Sequence, residues 1–233
     1  NKTPATQALY DEYEQRRRKA LAMGGEAKLA QRRAEGNLNA RERIDRLLDP
    51  GSFLESGLFA TSVIEAARDK SAADGKVVGY GRIAGRDVAV VSNDFTVMGA
   101  SSSATNGKKT ARGLPMVFFG ESSGARMPDT MGARGMGTML GNDPTQYMRT
   151  RETPWAGAVL GFCYGSSTWY TGFCDFSVMR KGAIMAVSSP RLVSMAVKGE
   201  IDPEEICGWE RHSEGTGLVE MVVDTEEKEI GAL

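Results

Sequence analysis

Histidine is nearly absent from this 233-residue chain: His212 is the single copy. It follows Trp209-Glu210-Arg211 in a polar stretch with no obvious nucleophile alongside, so it reads as a structural or surface residue rather than a catalytic base. Cysteine is scarce too. Cys163, Cys174 and Cys207 are odd in number, widely spaced and without a C-x-x-C pair, which argues against a disulfide framework or structural zinc and for reduced thiols. Charge of one sign is missing: 29 basic residues against 30 acidic ones leave no global field to draw in nucleic acid or an anionic membrane. No apolar run approaches the roughly 18–20 residues that span a bilayer, and the N-terminus lacks a charged-then-apolar signal pattern. The expectation is a cytoplasmic protein without a metal.

What is present is a chain organised around Trp155–Phe176. Ala156 to Phe162 is an apolar run too short for an independent helix and reads as a buried strand. Gly165-Ser166-Ser167 then supplies a turn whose hydroxyls are expected to cap a following helix. A strand, a glycine turn and a helix start place unpaired N–H groups at a positive helix end, a cradle for an oxygen that gains negative charge. A tight turn with glycine for close packing is the simpler alternative. Cys163, beside that turn in an apolar strand, reads as core packing.

Around this centre the pattern alternates. Residues 7–35 are helical in texture but polar, broken at Gly24-Gly25, and suit a surface laid across another element or subunit. Asn39 and Glu42 form a capping box for a helix that stops at Asp49-Pro50-Gly51. Lys76–Ile83 and Asp87–Val91 read as a hairpin closed by Ala84-Gly85-Arg86. Further strands are expected at Pro115–Phe119, Phe176–Met179, Ala183–Ser188 and Leu218–Val223. Helices are expected at 190–197 and 202–212. Strands alternating with crossovers, each ending in a glycine-rich loop, indicate an α/β fold with ligand loops at the strand ends. The division expected is a helical extension over 1–50 and an α/β domain over 51–233.

Four segments carry a resemblance: Ala40–Phe53 (ARERIDRLLDPGSF), Asp74–Arg86 (DGKVVGYGRIAGR), Asn93–Gly99 (NDFTVMG) and Glu121–Arg126 (ESSGAR). In this order they resemble the carboxyltransferase β subunits of biotin-dependent acyl-CoA carboxylases. The resemblance implies a crotonase-like ββα superhelix, an acyl-CoA substrate, and transfer of a carboxyl group from carboxybiotin to the carbon beside the thioester. It implies that backbone amides at Gly165 and Ser166 hold the thioester oxygen; the family usually has two glycines there, so Ser166 narrows the pocket. It implies CoA-channel residues at Gly99, Ala100 and Ser101 in the 98–103 loop, and at Ser123, Gly124, Ala125 and Arg126. Arg126 is open between a ligand anion and a structural ion pair. Lys108 and Lys109 are open between CoA phosphates and solvated surface.

Two departures stand out. The crossover between Lys109 and Pro115 is shorter than the family's. Only the first of the family's two crotonase-like halves is matched, and the half that holds biotin is not. The implied partners are therefore a biotin carboxyl carrier protein, a biotin carboxylase subunit, and a C-terminal carboxyltransferase half or second subunit, in an oligomer. A decarboxylase component and a non-catalytic assembly subunit remain open beside the carboxyltransferase.

Overall fold

The structure, a computed structural model, describes residues 3–103, 105, 114–130 and 152–233; Lys108, Lys109 and the short crossover before Leu114 lie outside the described residues. Helices α1 (Pro4–Leu21), α2 (Glu26–Ala34) and α3 (Ala40–Leu47) lead into β1 (Leu54–Ser56), β2 (Lys76–Ile83), β3 (Arg86–Asn93) and β4 (Met116–Ser123). After α4 (Met127–Thr130) come β5 (Trp155–Tyr164), α5 (Ser166–Gly172), β6 (Phe176–Arg180) and β7 (Ile184–Ala186). The chain closes with α6 (Pro190–Val197), α7 (Pro203–Cys207), β8 (Met221–Val223) and α8 (Glu226–Ala232).

The strands form one eight-stranded sheet ordered β1-β2-β3-β4-β5-β6-β8, with β7 pairing the far end of β5. β1, β2 and β3 are antiparallel; every pairing from β3 onward is parallel. The β2–β3 hairpin turns through two left-handed residues, Ala84 (φ 49°) and Gly85 (φ 78°), the geometry that matches strand twist in a two-residue loop. Successive side chains of a strand take opposite faces, so Val77 and Val78 enter different cores. One face joins Val77, Val90, Phe119 and Leu160 to Ala40, Ile44 and Leu48 of α3 and its C-terminal flank. The other joins Val78, Val91 and Phe118 to Tyr170 of α5, ring centroids 5.2 Å apart.

The Asn39–Glu42 capping box forms as expected: Asn39 Oδ1 accepts from the Arg41 and Glu42 amides, and Glu42 accepts from the Asn39 amide at 2.8 Å. Helix α1 is indeed polar and outward-facing, with Leu9 67% and Tyr13 47% exposed. Elsewhere the sequence reading is corrected. The helix expected over 202–212 stops at Cys207. Gly208 is extended (φ −80°, ψ 178°), and a β-carbon there would lie 2.3 Å from the Glu204 carbonyl oxygen. The strand expected over 183–188 is confined to Ile184–Ala186, and β1 and α8 were not anticipated.

Candidate active site at the ends of β3, β4 and β5

Three turns meet at the C-terminal ends of neighbouring parallel strands, where open α/β sheets place ligands. The Met98–Ser102 turn follows β3, Gly124–Arg126 follows β4, and Gly165–Ser166 follows β5. The first two are laced together: the Ser102 amide donates to the Gly124 carbonyl and the Arg126 amide to the Ser102 carbonyl, both at 2.8 Å. Ser102 Oγ and Ser166 Oγ are in close hydrogen-bonding contact and tie the third turn to the first. All nine residues the sequence proposes for the site therefore fall in one cluster.

Two glycines permit this approach. Gly165 has φ +64°, and a β-carbon there would lie 3.4 Å from Gly124 Cα. Gly99 has φ +61°, and its β-carbon would meet Ser123 Oγ at 2.7 Å. Non-glycine neighbours are forced into the same left-handed region: Met98 (φ 50°), Ala100 (φ 47°), Ala73 (φ 47°) and Asp74 (φ 50°). Such conformations cost of order 1–3 kcal/mol each and persist only where the surroundings over-determine them.

The surroundings do so through Arg126. Its buried guanidinium donates to Asp74 at 2.5 Å, to Asp129 at 3.2 Å, and to Ser101 Oγ (3.1 Å) and carbonyl (3.2 Å). Ser103 Oγ reaches the other Asp74 oxygen, and Ser62 donates to both oxygens of Asp129. Arg126, open in sequence between a ligand anion and an ion pair, is engaged with the protein: it clamps the loops. Ala100 and Ser101 are buried scaffold, Ala100 accepting from Ser122 Oγ at 3.1 Å. Gly99, Ser123 and Ala125 are at least partly open to solvent.

The amides differ from the sequence expectation. The Gly165 N–H donates to the Ala186 carbonyl at 3.2 Å and is committed to the backbone. Gly165 itself is the N-cap, and no side chain caps α5. Ser166 Oγ turns to Ser102, while Ser167 Oγ accepts from Asn93 Nδ2 at 2.9 Å. Among the described residues, the amides of Ser166 and Ala125 have no acceptor. Ala125 N would be 3.9 Å from a β-carbon placed on Gly165, so the two donors border one small space. Sequence reasoning missed Ser102 and Asp74, although both lie inside stretches it singled out.

Beneath the turns, Glu121 of β4 receives Arg32 through two hydrogen bonds (2.8 and 2.9 Å) and Arg43 at 3.0 Å; Arg43 continues to Glu226 at 2.9 Å. Burial opposes the Arg43 charge, yet Glu121 and Glu226 hold its guanidinium protonated above its ordinary value. Burial pushes the Cys163 thiol up to about 12, leaving it unreactive beside the turn. His212 Nε2 lies 2.7 Å from the Met185 carbonyl oxygen, to which it donates. Among the described residues, no group of three His, Cys, Asp or Glu is placed to hold a metal, and no helix is long and apolar enough to cross a membrane.

Known proteins share this arrangement. A carboxyl transferase domain profile matches residues 31–233. The propionyl-CoA carboxylase beta chain of Roseobacter denitrificans is 30% identical over 231 residues, covering 94% of this chain and 45% of that one. The methylmalonyl-CoA carboxyltransferase 12S subunit of Propionibacterium freudenreichii is 30% identical over 220 residues, covering 88% and 41%. A crystal structure of transcarboxylase 12S with methylmalonyl-coenzyme A bound superposes with a TM-score of 0.85 at 28% identity, covering 100% of this chain and 47% of that one. The chain thus spans less than half the length of these curated relatives. The mostly parallel sheet with its N-terminal helices is the crotonase-like fold that the four motifs implied. On the profile match and the shared fold, the chain is a member of the carboxyl transferase domain family.

Proposed function

We propose that this chain is the acyl-CoA-binding part of a biotin-dependent carboxyltransferase. The observation that carries the reading is the pair of unpaired amides, Ala125 and Ser166, bordering one space at the ends of β4 and β5. An acyl thioester deprotonated beside its carbonyl develops charge on the carbonyl oxygen. Fixed donors aimed at that oxygen stabilise the enolate without reorganising. Ser166 replaces Gly165 of the sequence expectation as the donor on the β5 side, and Ala125 supplies the second. The clamp formed by Arg126, Asp74 and Asp129 keeps the turns in register, and this preorganisation is the main contribution of the side chains.

Carboxybiotin, delivered on a carrier protein, would supply the carboxyl group and the base; no residue of this chain is assigned to it. The partners proposed are a biotin carboxyl carrier protein, a biotin carboxylase subunit and a second carboxyltransferase half, in an oligomer. The site's small donors suit a carbonyl oxygen, and the Ser102–Ser166 contact narrows its mouth toward short acyl chains. The test is titration calorimetry with acetyl-, propionyl- and longer acyl-CoA, followed by acyl-CoA-dependent fixation of labelled bicarbonate after reconstitution. Binding that weakens with chain length is the expected result. Absence of heat and of any thermal shift at millimolar ligand would identify an assembly subunit instead.

A further inference from the structure

Behind the site, a cleft of ≈ 1020 Å³ opens between α1–α2 and the 58–73 segment, with Met98 of the β3 turn in its wall. Its volume is in the range of small-molecule sites, roughly 300–1,000 Å³. Arg16, Lys19, Lys28, Arg68 and Lys70 line it against a single carboxylate, Asp69. Arg16 pairs with Glu12 and Lys19 with Asp69. Lys28 donates to the uncharged Thr96 carbonyl at 3.0 Å. Among the described residues, Lys28, Arg68 and Lys70 have no carboxylate partner. Unmatched cations around a concavity focus a positive potential into it. The same walls offer apolar contact: Met23, Met98 and Phe59, whose ring is 47% exposed. A cationic rim over an aromatic and methionine floor suits a ligand with a flat base and phosphates.

We infer that this cleft takes the phosphorylated adenosine end of an acyl-CoA, through Lys28, Arg68 and Lys70 on the phosphates and Phe59 on the base. The inference rests on the acyl-CoA reading above and assigns the ligand's far end. Met98 joins the cleft wall to Gly99 of the site turn, so one ligand passes from the cleft to the space below Ala125 and Ser166. The left-handed pair Met98 and Ala73 forms the partition between the two, both residues lining the cleft.

The experiment compares the full chain with the triple variant Lys28→Gln/Arg68→Gln/Lys70→Gln. All three side chains are on exposed residues, and a melting curve verifies that the variant folds. Calorimetry uses four probes: coenzyme A, dephospho-coenzyme A, adenosine bisphosphate with phosphates on the 3′ and 5′ oxygens, and S-propionyl-pantetheine. The expected result is coenzyme A binding weakened by about tenfold or more in the variant, and binding by the parent that falls with added salt. Dephospho-coenzyme A should bind the parent more weakly than coenzyme A, whereas a site for free adenine nucleotides would not discriminate. S-propionyl-pantetheine should bind parent and variant alike. Equal coenzyme A affinity in the two proteins, or no bisphosphate binding by the parent, overturns the cleft assignment. If the parent binds the bisphosphate in a cleft-dependent manner but never the pantetheine ester, the cleft stands and the thioester site falls.

Discussion

Arg126 Nη1 lies 2.5 Å from Asp74 Oδ1, joining residues 52 positions apart, with both side chains almost fully buried. This pair fixes the turn after β4 against the left-handed residues that lead into β2, and Asp129 and Ser101 complete the guanidinium's partners. Removing one member leaves the other charge buried without compensation, which costs about 3–5 kcal/mol. Arg126→Ala should therefore lower the melting temperature by on the order of 10 °C, at about 2–4 °C per kcal/mol for a chain of this size. Arg126→Lys keeps the charge but not the fork, and should recover only part of the loss. A Tm within a degree or two of the parent for Arg126→Ala would show that the clamp is not what holds these turns.

Ser166 occupies the first position of α5, after the N-cap Gly165, where proline is tolerated because its missing donor is one that the helix leaves unused. Ser166→Pro therefore removes the proposed oxyanion donor with little damage to the helix. Loss of one such donor typically lowers turnover by about 100- to 1,000-fold. Carboxyl transfer by the reconstituted complex should fall by that order while the melting curve is retained, and Ser166→Gly, which keeps the amide, should remain active. Full activity in a folded Ser166→Pro protein would remove Ser166 from the mechanism.

Much of this site could be read in advance, for local reasons. The hairpin at Ala84-Gly85, the capping box at Asn39 and the strand-to-turn step at Gly165 depend on residues a few positions apart, and all three occur. The Arg126–Asp74 clamp and the Arg43–Glu121–Glu226 chain join distant residues, and no local pattern announces such pairs. Helix α8 escaped notice because Glu226–Ala232 is short and polar, with Ile230 its one large apolar residue; Glu226 and Glu229 are nonetheless buried. The serine caps failed because Gly165, at φ +64°, takes the cap position without a side chain. The amide that remains unpaired is therefore one residue later than a glycine-centred reading favours.

Glu229 is buried with no hydrogen-bond partner for either carboxylate oxygen. Burial, and then the charge of Glu226, push its carboxyl well above the ordinary value of 4.5, while Arg180 and Arg43 act in the opposite sense. A folded value above the unfolded one means the fold binds the proton more tightly. That contribution to stability is complete below pH 4.5 and declines as pH rises toward the folded value. Glu229→Gln removes this dependence, so its stability relative to the parent should increase between about pH 5 and about pH 8. Urea midpoints at the two pH values measure it, and a constant difference between the proteins would refute the assignment.

Gly99 and Gly85 separate backbone strain from crowding at the site. Both have positive φ, +61° and +78°, so alanine at either position incurs the left-handed penalty of about 1–2 kcal/mol. At Gly85, on the hairpin tip, a new β-carbon meets nothing within 4 Å. At Gly99 it would lie 2.7 Å from Ser123 Oγ and 3.0 Å from Ser123 Cβ, which pushes the β3 turn away from the β4 turn. Gly85→Ala should lose stability and bind acyl-CoA as the parent does. Gly99→Ala should lose at least as much stability and weaken acyl-CoA binding as well, because the Ala125 and Ser166 donors must sit within a fraction of an ångström of their working positions. Calorimetry on the two folded variants at one temperature makes the comparison. Equal acyl-CoA affinity in both would mean that the contact between Gly99 and Ser123 does not shape the site.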